Sequence, residues 1–228
     1  MRPKICVSII PKNVEEAKKL EEEAKRKGAD LIEIRLDRLY SDSNLEEIKN
    51  HANIMKIGTL RSSNQGGMFS GSENARFQTL LNASKAGFDY IDIEDSVENL
   101  ENKIRSFREL GSKIIISHHN MEQTPSLIEL EKILNKNLQF NGDVYKIVTT
   151  AKSVKDSLVT LNFLNDASKN HSVVCFSMGN YGRISRVASP FFGGFFTMAS
   201  LKKGDETAEG QLTIDDLKTI YQTINLDF

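Results

Sequence analysis

A lysine in the middle of a short apolar run, Val144-Tyr145-Lys146-Ile147-Val148, is the residue of this chain best suited to covalent chemistry. Ionisable groups are costly to bury unless they are paired or used. Two readings apply to Lys146. A snorkelling side chain carries its amine out to solvent. Alternatively, an amine kept neutral by desolvation and by nearby cations attacks a carbonyl carbon. Arg61 and Arg186 are the candidate cations, and their planar forks also suit the carboxylate of an anionic substrate. His119, just past another apolar run, has the imidazole needed to move protons during imine formation and to deprotonate carbon beside a carbonyl. His118 competes on spacing, although strand alternation points the two rings to opposite faces. His51 and His171 fall in segments that read as solvated.

The elements that must position these groups alternate between short β-branched runs and segments of helical period. Strands are expected at 5–10, 31–36, 55–60, 90–94, 113–117, 144–148, 173–177 and 195–198. Asn13 with Glu16 caps a first helix with an apolar face of Val14, Ala17, Leu20 and Ala24, closed by Gly28. Ser153 with Asp156 opens a helix whose expected inner face is Val154, Leu158, Leu161 and Leu164. Thr213 with Asp216 opens the last, expected to turn Leu217, Ile220, Tyr221 and Ile224 inward. Between the seventh and eighth strands only a short helix near 184–187 is expected.

Eight strand–helix repeats in 228 residues predict an α/β fold, a (β/α)8 TIM barrel forming a single domain over 1–228. An open doubly wound sheet would place a glycine-rich phosphate turn after the first strand; the turn here is Pro11-Lys12-Asn13. Barrel chemistry sits at the C-terminal strand ends. Those ends carry Ser8, Glu33 and Arg35, Arg61, Asp92 and Glu94, Ser117 with the two histidines, Lys146, Ser177 with Met178, and Thr197 with Ser200. A ring of polar groups from most strands marks a site. The glycine pairs at 66–67 and 193–194 and the spacing Gly179-x-x-Gly182 fit tight rim turns or phosphate turns. The polar loop at 202–211 reads as a solvated connection or as a lid that excludes water.

Composition excludes several classes of function. Thirty Lys plus Arg against thirty-one Asp plus Glu leave a net charge of −1, so nothing drives the chain generally toward nucleic acid or an anionic membrane. Its 39% apolar and 27% charged residues describe a globular protein. Cys6 and Cys175 lie apart in apolar runs without metal or redox spacing, which predicts neither disulfide nor zinc site and a cytoplasmic location. The apolar run before Pro11 is too short for a signal segment or a membrane span.

Taken in order, the motifs resemble those of the type I 3-dehydroquinate dehydratases. Glu33-x-Arg35-x-Asp37, Thr59-x-Arg61 with Gly66-Gly67, Ser117-x-His119 with Thr124-Pro125, Lys146, Ser177-Met178-Gly179 with Gly182 and Ser185-Arg186, and Gly210-Gln211 follow the family pattern across nearly the whole chain. The resemblance implies dehydration of 3-dehydroquinate to 3-dehydroshikimate in the shikimate pathway of aromatic amino acid biosynthesis. It implies no metal or organic cofactor, a homodimer, Lys146 as the Schiff-base lysine and His119 as the proton shuttle. It further implies a substrate carboxylate on Arg186, with Thr207 and Gln211 closing from the lid. Ser8, Glu33, Arg35, Arg61 and Gln65 would bind and orient the ring, and Met121, Met178 and Met198 would supply apolar contacts. Asp92 and Glu94 are expected just behind the site, polarising His119. Two departures stand out: Gln65 replaces the family's usual glutamate, and Met121 and Met198 stand where aromatics are usual. Other readings are a Schiff-base barrel of the class I aldolase type and a non-catalytic ligand-binding homologue.

Overall fold

The structure, a computed structural model, describes residues 2–39, 44–49 and 51–224. Eight parallel strands curl around an axis: β1 Ile5–Ile9, β2 Leu31–Arg35, β3 Met55–Thr59, β4 Tyr90–Glu94, β5 Lys113–His119, β6 Val144–Thr150, β7 Val173–Met178 and β8 Thr197–Ser200. Each of β1 to β7 pairs with its neighbour in sequence, and β8 returns to pair with β1. At the seam, Phe195 N donates to Val173 O at 2.8 Å and brings the chain entering β8 against the start of β7. A two-residue strand, β9 Leu212–Thr213, extends β8 after the loop at 202–211.

The helices form the outer layer: α1 Val14–Arg26, α2 Glu46–Lys49, α3 Glu73–Lys85, α4 Leu100–Glu109, α5 Leu127–Leu138, α6 Val154–Ala167, α7 Arg183–Ala188 and α8 Ile214–Ile224. Their starts follow the expected caps. Asn13 accepts from Glu16 N at 2.8 Å, Ser153 with Asp156 forms a full capping box, and Thr213 Oγ1 accepts from Asp216 N at 3.1 Å; Ser126 with Glu129 adds a capping box that was not among the expected ones. The (β/α)8 barrel is thus the observed fold.

Two packed regions result from the period-2 alternation of each strand. Outward residues such as Ile32, Ile34, Ile91, Ile93, Ile114, Ile116 and Ile147 pack under the helices. Inward residues Cys6, Leu31, Ile57, Tyr90, Ile115, Val144, Val174 and Phe196 fill the barrel floor. The same alternation, carried one or two steps further toward the C-terminal ends, puts Glu33, Arg61, Asp92, Ser117 and Lys146 on the inward face.

Two helical faces differ from expectation. On α6 the buried side chains are Ser157, Thr160, Leu161, Phe163 and Leu164, while Val154 and Leu158 are exposed. The small hydroxyl residues face in because Ser157 donates to Tyr181 O at 2.7 Å and Thr160 contacts Ser177 Oγ at 2.8 Å, so close approach wins over apolar pattern. On α8, Ile214 and Leu217 are buried, Ile220 and Tyr221 are half-buried and Ile224 is exposed. The helix leaves the barrel surface before its last turn. The two outlying histidines are half-buried rather than fully solvated. His51 lies 3.2 Å from both Glu21 and Glu22, and half-buried His171 sits edge-on to Tyr145.

Candidate active site

The C-terminal mouth of the barrel opens into a cavity of about 260 Å³, a size suited to a small metabolite. Lys146 on β6 reaches it from within, with 5% of its surface exposed. Its Nζ donates to Asp92 Oδ2 at 2.9 Å and to Glu33 Oε1 at 3.3 Å. The snorkelling reading therefore fails, and the expectation of a neutral resting amine is also corrected. Burial works against the ammonium, but the Asp92 and Glu33 carboxylates outweigh it, and the amine is held above its ordinary value. Arg61 acts in the expected direction but is committed to Asp92 at 2.7 Å.

Both carboxylates are fixed from several sides. Ser8 Oγ and Thr59 Oγ1 donate to Glu33, the latter at 3.0 Å. Asp92 accepts from Arg61 and from Ser117 Oγ, at 2.7 and 2.6 Å. Burial opposes the charge of each carboxylate; Lys146 and Arg35 overcome it at Glu33, which is held below its ordinary value, and Arg61 and Lys146 overcome it at Asp92, which is held well below the usual carboxylate range. Arg35 is clamped by Asp37 through two hydrogen bonds of 2.8 and 2.7 Å. Asp37 also accepts from Met68 N at 3.0 Å, which ties the loop after β3 to the same pair.

That loop folds back tightly. A Cβ on Gly67 would lie 1.9 Å from the Arg61 carbonyl oxygen, so only glycine fits there. The fold-back brings Gln65 to His119, with Oε1 and Nδ1 3.2 Å apart, while Gln65 Nε2 donates to Ser96 Oγ at 3.0 Å. With the amide oxygen toward the ring, Nδ1 carries the proton and Nε2 keeps its lone pair. Burial, then the cationic Arg61 and Lys146, hold the imidazole well below its ordinary value, so His119 rests as a neutral base. His118 turns away and pairs with Asp95 at 2.9 Å, as alternation requires.

Arg186 closes the far wall. Ser185 Oγ accepts from Ser177 N at 2.8 Å and pins α7 to β7, and Thr197 Oγ1 donates to Arg186 O at 2.7 Å. The guanidinium lies 4.5 Å over the Phe176 ring, and its buried Nε and Nη2 have no hydrogen-bond partner. Burial pushes it down to about 10. A buried, unpaired fork lining a cavity is built for a carboxylate.

The segment 202–211 lies over the mouth through Thr207, Ala208, Glu209 and Gln211. Gly210, at φ +78°, packs so closely that a Cβ would stand 2.4 Å from Gly179 O, while Gly179 N donates to Glu209 O at 3.2 Å. Gln211 Oε1 accepts from Thr207 N at 2.7 Å and so fixes the loop's turn.

Of the residues expected at the site, Glu33, Arg35, Arg61, Gln65, His119, Met121, Lys146, Met178, Arg186, Met198, Thr207 and Gln211 line this one cavity. Ser8 does not; it is fully buried and holds Glu33 instead. Asp92 and Glu94 also lie behind the lining, but neither hydrogen-bonds His119. Asp92 serves Lys146, Arg61 and Ser117, and Glu94 pairs with Arg61 and with Arg76 of α3. Val148, Thr150 and Phe176 complete the wall, each at an inward position of β6 or β7 that alternation from Lys146 or Met178 identifies. Arg76 carries no such signal, because Glu73-x-x-Arg76 reads as an ordinary surface helix pair. Among the described residues, no three or more His, Cys, Asp or Glu side chains are gathered as a metal ion would require.

A (β/α)8 barrel whose mouth gathers a buried amine, a neutral imidazole and an unpaired guanidinium around one small cavity belongs to the barrel enzymes that act on small molecules. Comparison with known proteins narrows this. The chain matches the type I 3-dehydroquinase family over residues 5–227. It is 35% identical to the 3-dehydroquinate dehydratase of Dehalococcoides mccartyi strain 195 across 99% of this chain and 97% of that one. It is likewise 35% identical to the Methanococcus maripaludis strain S2 enzyme across 97% and 100%. The crystal structure of 3-dehydroquinate dehydratase from Geobacillus kaustophilus superposes with a TM-score of 0.88 at 26% identity, covering 99% of this chain and 93% of that one. A type I enzyme from Clostridium difficile bearing covalently modified comenic acid gives 0.88 at 28%, covering 98% and 92%. The chain belongs to the type I 3-dehydroquinase family.

Proposed function

We propose that this chain dehydrates 3-dehydroquinate to 3-dehydroshikimate through an imine on Lys146, as a hydro-lyase of the shikimate pathway. The observation that carries the reading is the convergence of Lys146, His119 and Arg186 on one cavity. Arg186 takes the substrate carboxylate, and Glu33, Arg35 and Arg61 orient the ring. Lys146 Nζ, once deprotonated, adds to the ring ketone, and loss of water gives an iminium ion. The positive nitrogen withdraws electrons, so a proton on the adjacent carbon becomes acidic. His119 Nε2 removes that proton to form an enamine, then as imidazolium protonates the departing hydroxyl. Hydrolysis of the imine returns the amine. Orientation of this kind supplies roughly 7–11 kcal/mol of a barrier.

The segment 202–211 acts as the lid, with Thr207 and Gln211 excluding water, and Met121, Met178 and Met198 pack against the substrate ring. We further place the enzyme in the cytoplasm; among the described residues no helix is long and apolar enough to cross a membrane. We assign it a homodimer, supported by the exposed apolar side chains Leu127, Ile128, Val154, Leu158, Tyr181 and Ile184 on the adjoining elements around α5, α6 and α7. Sedimentation should give twice the chain mass; a monomer would overturn that assignment. For the chemistry, borohydride reduction in the presence of dehydroquinate should add one ligand at Lys146 by mass spectrometry. Turnover without any trapped adduct would refute the imine.

A further inference from the structure

We propose that Arg76, on the outer helix α3, is a positioning residue for Lys146 that acts through Glu94, Arg61 and Asp92. The inference rests on the reading of Lys146 as the imine-forming amine. A line of alternating charges leads from that amine out through the barrel wall. Lys146 Nζ is 2.9 Å from Asp92 Oδ2, and Asp92 Oδ1 is 2.7 Å from Arg61 Nη2. Arg61 Nη1 is 3.1 Å from Glu94 Oε1, and Glu94 Oε2 pairs with Arg76 Nη1. Arg76 then meets Glu73 through Nε at 2.6 Å and Nη2 at 3.0 Å. Everything from Lys146 to Arg76 is buried, and only Glu73 reaches solvent. Charges arranged this way in a weakly screened interior feel one another strongly.

The links are unequal. Arg76 donates to Glu94 and to Leu60 O, the latter at 3.1 Å, and is locked by Glu73. Glu94 Oε1 has no aligned hydrogen-bond partner despite its approach to Arg61. Glu94 is thus anchored outward on Arg76, which leaves Arg61 committed to Ser117 and Asp92. Without the cation at position 76, Glu94 becomes an uncompensated buried anion that draws on Arg61. Asp92 is then released to Lys146, which holds its proton more tightly and attacks more slowly at neutral pH. The other charged or titratable groups facing Lys146 are Glu33 from β2, Arg61 just past β3, His119 from β5 and the Cys6 thiol from β1. Those facing Arg76 are Glu73 on its own helix and Glu94 from β4, with Lys103 of α4 reaching Glu73.

The test is the pH dependence of kcat/KM and of the cyanoborohydride trapping rate at Lys146. In Arg76→Met the amine's limb should move to higher pH by about one unit, a roughly tenfold loss of rate at any pH below it. Arg76→Lys should restore most of that loss. Glu94→Gln should move the limb the other way, and Arg76→Met with Glu94→Gln should bring it back toward wild type, since no charge is left uncompensated. A merely structural Arg76 would lower thermal stability and leave every limb in place, which would overturn the inference. Should Arg76→Met not fold, an unmoved limb in Glu94→Gln is equally decisive against it. Wild-type enzyme that turns over without trapping at Lys146 would instead sink the imine reading, and this coupling with it.

Discussion

Replacing Arg186 by methionine should make the protein more stable and less able to bind its substrate. The guanidinium is 1% exposed, stacked on Phe176, with two nitrogens unpartnered. Its shift from 12.5 to about 10 corresponds to about 3 kcal/mol against the charged form. A cation whose folded value lies below its unfolded one carries that penalty in full at neutral pH and escapes it only as pH rises past 10. Methionine is apolar and adaptable and suits the site beside Phe176. The expected gain is about 1–3 kcal/mol, with Tm rising by about 2–4 °C per kcal/mol for a chain of this size. Loss of a buried charge pair with the substrate carboxylate costs about 2–5 kcal/mol of binding, roughly 30-fold to several thousand-fold in Kd. Thermal denaturation with and without dehydroquinate, alongside steady-state kinetics, reads both signs. An Arg186→Met protein that is less stable than wild type, or that keeps its affinity, would refute this account of the anion site.

Lys146→Ala should abolish turnover and trapping while the far-ultraviolet dichroism of the barrel persists; residual covalent adduct would identify another nucleophile. His119→Ala should slow turnover by about 10²–10⁴-fold, with trapping slowed as well, and near-normal rates would show that another group moves the proton. Gln65→Glu places a carboxylate against Nδ1 and so favours the imidazolium. The acid limb of kcat/KM, set by the need for neutral His119, should move to higher pH while the plateau changes only modestly; a rise of several orders of magnitude would mean that the amide cripples this enzyme. Glu21 is pushed up to about 7 by burial, with Lys56 and His51 opposing. Because its folded value lies above its unfolded one, ionising it costs stability progressively as pH rises from 4.5 through 7. Glu21→Gln should therefore gain stability at pH 8 by up to about 3 kcal/mol and show no advantage at pH 4 in urea melts. An equal effect at both pH values would refute the assignment.

Most of the barrel and most of its mouth could be read from the residues. Alternation alone settles which side chains of β2, β3, β4 and β6 face inward, and the motif at 117–119 distinguishes the inward His119 from His118. What could not be read had a physical reason in each case. Ser157 and Thr160 displaced Val154 and Leu158 from the inner face of α6 because hydroxyl pairing with β7 and the turn after it lets the helix approach closely, which an apolar pattern does not encode. Ser8 sits at a strand end like the cavity-lining residues, yet its short side chain ends at Glu33. The partners of Glu94 depend on α3, whose position relative to β4 follows from packing across the barrel wall, so Arg76 could not be singled out from its local pattern.

The charge of Lys146 was the hardest property to read, and it sets the demands on the rest of the site. A strand lysine flanked by arginines suggests a neutral amine; the geometry instead gives two carboxylates within hydrogen-bond reach. Even an unperturbed lysine needs about 5 kcal/mol to give up its proton at neutral pH, and this one needs more. Effective molarities of about 10⁵–10⁸ M for oriented reactants are worth roughly 7–11 kcal/mol, enough to offset that cost once the ketone is held against the amine. Catalysis by a resting ammonium therefore demands a tightly oriented substrate, a task the proposed mechanism gives to the unpaired Arg186 and the clamped Arg35, which line the same cavity. In the proposed mechanism the same carboxylates that hold the ammonium would also stabilise the positive iminium that replaces it at the same nitrogen. Their cost in the first step is returned in the intermediate, so Asp92→Asn should speed the deprotonation of Lys146 and yet lower the steady-state level of trapped imine.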